Sequence, residues 1–115
     1  MYNYNHKIFR SVSNSTNGEV SNETIFAYKQ SGNIVTAIYH GGSIVQGSLI
    51  ALADNEGKLD MRYQHVNDQQ QLMTGSCIST PEIMSNGKLR LYEQWQWTCG
   101  DMSSGESIIE EIQNT

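Results

Sequence analysis

Basic residues, cysteine, proline and long apolar runs are all scarce in this chain, and each scarcity removes a class of function. Seven Lys and Arg stand against twelve Asp and Glu, for a formal net charge of −5. Nucleic-acid backbones and anionic membrane surfaces are held by clustered cations, and the basic residues here are scattered, so neither partner is expected. No apolar stretch approaches the roughly 18 residues of a spanning helix, and the opening MYNYNHKIFR is polar where a secretion signal carries an apolar core. The expected location is cytoplasmic. The sequons Asn14-Ser15-Thr16 and Asn22-Glu23-Thr24 then read as products of a composition rich in Asn, Ser and Thr, since glycosylation needs secretion.

Cys77 and Cys99 are too few for a disulfide framework and are expected as reduced thiols in or near the core. Together with His6, His40 and His65 they offer no metal-ligand spacing, so neither a metal nor a cofactor is expected. No Gly-x-Ser-x-Gly elbow supports nucleophilic catalysis.

What remains is a 115-residue chain, the length of one ordinary domain, whose 37% hydrophobic and 17% charged content is filled out by uncharged polar residues. Residues 1–115 are read as a single barrel-like domain, with 1–5 as a loose N-terminal end. Turn residues punctuate the chain at regular intervals: Asn17-Gly18, Ser31-Gly32-Asn33, Gly41-Gly42, Asp54-Asn55-Glu56-Gly57, Asn67 to Gln70, and Ser85-Asn86-Gly87. Asn17-Gly18 suits a type I′ turn, and Gly57 and Gly87 suit left-handed positions. Between the turns lie short alternating segments at Lys7–Ser13, Glu23–Gln30, Ile34–His40, Ser43–Ala53, Lys58–Val66, Leu72–Thr80 and Lys88–Thr98. Gly75 marks a bulge or bend, Pro81 ends its strand, and Gly100 to Gly105 is a loop. Glu106–Ile112 fits either a short helix or a strand.

Two echoes support successive hairpins. Gly32-Asn33-Ile34-Val35 is matched by Gly42-Ser43-Ile44-Val45, and Gly57-Lys58-Leu59 by Gly87-Lys88-Leu89. The expectation is an all-β antiparallel up-and-down meander of about eight strands. An open meander would leave two long edges, so a closed or nearly closed small barrel is favoured. Such a barrel is either filled by side chains or holds one small ligand.

The segment Lys88–Thr98 carries both tryptophans. Leu89, Leu91, Glu93, Trp95 and Trp97 share one face, which sets a single carboxylate in an apolar, aromatic row. Glu93 is then either a buried carboxylate with a raised pKa or the partner of an arginine such as Arg62 or Arg10. The echo between the two Gly-Lys-Leu strands sets Tyr63 and His65 beside Glu93 and Trp95 near one mouth of the barrel.

The run GSLIALADNEGKLDMR (Gly47–Arg62), continued by YQHVN, Met73-Thr74-Gly75, LRLYEQWQW from Leu89 and SGES from Ser104, resembles a small bacterial family over about Phe26 to Ile112. Members of that family sometimes carry the label N-acetylglutamate synthase. The label implies acetyl transfer, yet the chain has no Arg-x-x-Gly-x-Gly turn opening a helix on which backbone amides would hold a pyrophosphate. Three function classes follow. The first is a barrel binding a small polar ligand through Arg62, Tyr63, His65, Glu93, Trp95 and Trp97. The second is a structural module that forms a homodimer or meets another protein, and the third an enzyme using Glu93 and His65 as acid and base.

Overall fold

A computed structural model describes residues 2–112. Eight strands run β1 (Ile8–Asn14), β2 (Ile25–Ser31), β3 (Ile34–Gly41), β4 (Ile44–Ala53), β5 (Leu59–Asn67), β6 (Leu72–Ile83), β7 (Leu89–Trp97) and β8 (Ser104–Glu111). Each pairs antiparallel with the next, and β8 returns to β1, so the sheet is a closed up-and-down barrel. Closure leaves no unpaired edge.

Alternation within each strand decides which side chains face inward. Phe9, Phe26, Tyr28, Val35, Ala37, Tyr39, Leu49, Ala51, Leu59, Met61, Leu89, Leu91 and Ile109 are buried, while their neighbours along each strand are largely exposed. Each fully buried Leu, Ile or Phe contributes about 1.5–3 kcal/mol relative to an exposed one. Gly57 and Gly87 adopt φ of +80° and +84° in the β4–β5 and β6–β7 turns, as expected of the two echoed hairpins.

Of the two alternatives for Glu106–Ile112 the strand is formed, as far as Glu111. Several local expectations are overturned. β8 begins at Ser104, inside the expected loop, because this segment must pair with β7 on one side and β1 on the other. β6 runs through Pro81 to Ile83. At Pro81 it pairs with β7 alone, β5 having ended opposite Ser79, so the missing N–H costs the ladder little. Gly75 stands in regular register between Tyr63 and Trp97 with no bulge; a side chain there would meet the Tyr63 ring at 2.2 Å, so glycine makes room for that ring.

Asn17-Gly18 is not a type I′ turn, since Gly18 is absent from the residues with positive φ; β1 and β2 are joined by the longer loop 15–24. The N-terminal end is not loose. Residue 1 lies outside the described residues, but Tyr4 is fully buried, its hydroxyl donates to the Gly57 carbonyl, and its backbone N–H donates to Gln30 Oε1 at 2.9 Å. Tyr2 packs over Gly57. An aromatic side chain at an open barrel end removes more apolar area by folding under the barrel than by staying in water.

Candidate ligand site at the barrel mouth

The end opposite Tyr4 is built differently. The loop 15–24 folds over it and is held by polar contacts to three neighbouring loops or strand ends. Asn17 Nδ2 donates to Ser103 Oγ and to the Ser104 carbonyl at 3.1 and 2.9 Å. Ser43 Oγ donates to the Glu19 carbonyl at 2.9 Å, and the Trp97 indole N–H donates to the Asn17 carbonyl at 3.0 Å. The Glu19 side chain reaches down into the barrel, accepting from His65 Nε2 at 2.7 Å and from Asn67 Nδ2 at 3.0 Å. A carboxylate only accepts, so His65 Nε2 carries a proton.

Asn67 is held for this contact by its own turn, its Oδ1 accepting from the backbone N–H groups of Gln69 and Gln71. His65 is held from its other side, where Nδ1 lies 3.0 Å from the Tyr39 hydroxyl.

Beneath the loop lies a cavity of about 50 Å3, lined among others by Phe26, Tyr39, Tyr63, His65, Trp95 and Trp97. A single water needs about 10–15 Å3 of such space, so there is room for a compact group of a few heavy atoms. The rings stand at steep angles: Trp95 to Trp97 at 5.5 Å and 60°, Tyr63 to Trp97 at 5.9 Å and 64°, His65 to Trp97 at 5.8 Å and 73°. The two indoles thus stand as walls, while Tyr63 lies nearly parallel to His65, at 6.5 Å and 12°, and Phe26 stacks on Tyr39 at 5.0 Å and 30°. Gly105, the β8 partner of Trp95, lets that indole lie against the backbone, for a side chain there would meet it at 2.4 Å.

Glu93 also lines the cavity. Its carboxylate accepts from Ser79 Oγ at 3.2 Å and Ser107 Oγ at 3.1 Å, and both serines are buried. Burial pushes its pKa up to about 7, against the smaller lowering effect of the two hydroxyls. The residue as a whole keeps some exposure, but the carboxyl end is enclosed by protein and desolvation is its largest influence. Tyr28, Tyr39, Tyr63 and Cys77 surround it, and burial raises the pKa of each, so they stay neutral at ordinary pH.

Of the six residues singled out in the sequence, Tyr63, His65, Glu93, Trp95 and Trp97 all line the cavity. Arg62 does not. It alternates with Tyr63, points outward, and pairs with Asp60 at 2.7 Å on the exposed face. Neither Arg62 nor Arg10 reaches Glu93, whose partners are hydroxyls. The two Gly-Lys-Leu strands are also not in equivalent register: across β6, Tyr63 stands level with Trp97, and Glu93 with Leu59.

Sequence reasoning missed Ser79, Ser107, Asn67 and Glu19. The first two were accessible by alternation, since Ser79 follows Gly75 and Cys77 on the inner face of β6. Glu19 carried no signal, because nothing in a polar loop says which side chain will turn back toward the barrel. Cys77 and Cys99 are free, Cys77 buried beside Glu93 and Cys99 half-buried near Met73. Among the described residues, no group of three or more His, Cys, Asp or Glu is placed to hold a metal.

Neither curated proteins nor solved structures provide a match to the chain. The sequence model of the family described as avidin-like protein matches residues 2–112, nearly its whole length, and a closed up-and-down barrel is what those residues form. The chain belongs to the avidin-like protein family.

Proposed function

We propose that the cavity beneath the loop 15–24 is a binding site for a small molecule, held without chemical conversion, with the loop as its cover. The observation that carries this reading is the space left at one end of a barrel whose other end is packed, walled by aromatic rings and equipped with buried hydrogen-bonding groups. Sites of this kind, mostly apolar with a few placed polar groups, are where proteins hold small ligands. Membership of the avidin-like family supports it, since that family is known for binding small ligands, biotin among them.

Binding is favoured over catalysis because the two candidate acid–base groups are engaged elsewhere, Glu93 by serines and His65 by Glu19 and Tyr39. Acetyl transfer gains no support from the chain, which has no Arg-x-x-Gly-x-Gly turn and, among the described residues, no helix for such a turn to open. The test is a ligand-observed nuclear magnetic resonance screen of a metabolite library that includes biotin. At least one small molecule is expected to bind and to be displaced or weakened in the Glu93→Gln variant. A library in which nothing binds would overturn the reading.

A second reading has its own observation. Ile34, Ile38, Ile50 and Leu52 are 45–66% exposed on the outer face of β3 and β4, an apolar patch that suits a second copy of the chain. Sedimentation velocity of the wild type and of Ile50→Lys tests this homodimer. A monomeric wild type at micromolar concentration removes it.

A further inference from the structure

The binding reading leaves the ligand's chemistry open, and the cavity lining, on which the following inference rests together with that reading, narrows it. The charged side chains of the lining are Glu19 and Glu93, and no Lys or Arg is among them. An anion would have to shed its water beside two carboxylates with no cation to receive it, which is costly.

The buried hydrogen-bonding capacity still unused lies at acceptors of the lining and, outside the lining, at the Tyr28 hydroxyl near Glu93. Glu93 accepts from two hydroxyls and keeps further lone pairs. Asn14, also in the lining, donates to the Val20 carbonyl, while its buried Oδ1 has no partner among the described residues. The walls add to this. Tyr, Trp and Phe rings attract cations through their quadrupoles, the more so when the site is dry.

We propose that the site takes a compact organic cation, a methylated ammonium or guanidinium group, seated among Tyr63, Trp95 and Trp97 with Glu93 as its inner counter-charge and Glu19 at the mouth. The volume agrees, since about 50 Å3 admits the cationic head of a ligand rather than a large cofactor. The state of Glu93 follows from the same arrangement. Without a cation its carboxyl keeps a proton up to a pH of about 7, and a bound cation displaces that proton. Around Glu93 the titratable groups from the other strands are Tyr28, Tyr39, Tyr63 and Cys77, all neutral in this range, with the Glu19–His65 pair at the mouth.

The test compares tetramethylammonium and guanidinium with their neutral counterparts tert-butanol and urea, and with acetate, at constant ionic strength, by following the indole N–H resonances of Trp95 and Trp97. Saturable binding of at least one cation is expected, at least about tenfold tighter than its neutral counterpart. Affinity for the cation should fall as pH drops below about 7, and Glu93→Gln should weaken it about tenfold and flatten that dependence.

Neutral counterparts that bind as tightly, or acetate binding in preference, would overturn the cation while leaving a ligand site in place. A wild type that binds neither these probes nor any metabolite would remove both readings. Should Glu93→Gln fail to fold, as judged by circular dichroism, the cation-to-neutral ratio and the pH series of the wild type, with Glu19→Gln as the second variant, decide the matter.

Discussion

The two ends of the barrel are closed by different physics. At one end Tyr4 is inserted from the N-terminal segment against Phe9, Tyr28, Leu59 and their neighbours, with ring centroids of Tyr28 and Phe9 4.8 Å apart. At the other the loop 15–24 is tied down by hydrogen bonds and one His–carboxylate contact over a cavity. Apolar burial is lost only by exposing the whole surface to water, whereas polar contacts at a mouth are exchanged one for one with solvent at a net cost of about 1 kcal/mol each. One end is thus closed by packing and the other by contacts that water can replace.

Substitutions at the packed end should have the largest effect. Leu91→Ala, at a fully buried position opposite Ile109, should cost about 2–5 kcal/mol of unfolding free energy in urea. A loss no larger than that of a mouth substitution would erase the contrast between the ends.

Next comes Glu93, between the two ends. Its native pKa of about 7 lies above the ordinary 4.5, so below pH 4.5 folded and unfolded chains are both protonated at this group. As pH rises from there toward 7 the unfolded chain gives up its proton first, and stability falls, by roughly 3 kcal/mol at most. Denaturation series across that window should show the decline in the wild type and lose it in Glu93→Gln.

Glu19→Ala should cost about 1–3 kcal/mol, because it takes the acceptor from the buried His65 Nε2–H and Asn67 Nδ2. Its signature is local: amides of the loop 15–24 and the Trp97 indole N–H should exchange faster with deuterium while amides around Tyr4 keep their protection. Equal acceleration at both ends would mean the two closures are one cooperative unit. The smallest effect on stability is expected of Ile50→Lys on the outer face, within about 0.5 kcal/mol, so any change in its sedimentation reports association rather than unfolding.

The fold was legible where local rules acted alone. Glycine turns at Gly57 and Gly87, two-residue alternation, and the need to bury strand edges are all properties of short stretches, and they led to eight antiparallel strands and a closed sheet. The inward row of Leu89, Leu91, Glu93, Trp95 and Trp97 came from the same alternation. What could not be read depended on partners far along the chain. Tyr4 resembles any tyrosine in a polar terminus until Gly57 stands above it. Gly75 looks like a bend until the Tyr63 ring is seen to occupy the missing side chain's place. Pro81 is harmless only because β5 has already ended beside it. Arg62 reads as a cation for a polar ligand or for Glu93, although the alternation that places Tyr63 inside sends Arg62 out.

The seam between β1 and β8, where Phe9 faces Glu111 and the Ile112 N–H donates to the Ile8 carbonyl at 2.8 Å, also governs how the barrel is made. Seven of the eight strand pairings join neighbours in sequence and can form as local hairpins, in microseconds when isolated. The eighth joins the first strand to the last and must wait for a loop of nearly the whole chain to close, which costs entropy that no local contact offsets. Until then both outer strands offer unpaired backbone to any other chain nearby. Loop closure thus predicts the seam as the slow step of folding and as the place where two copies would most readily pair with each other by mistake.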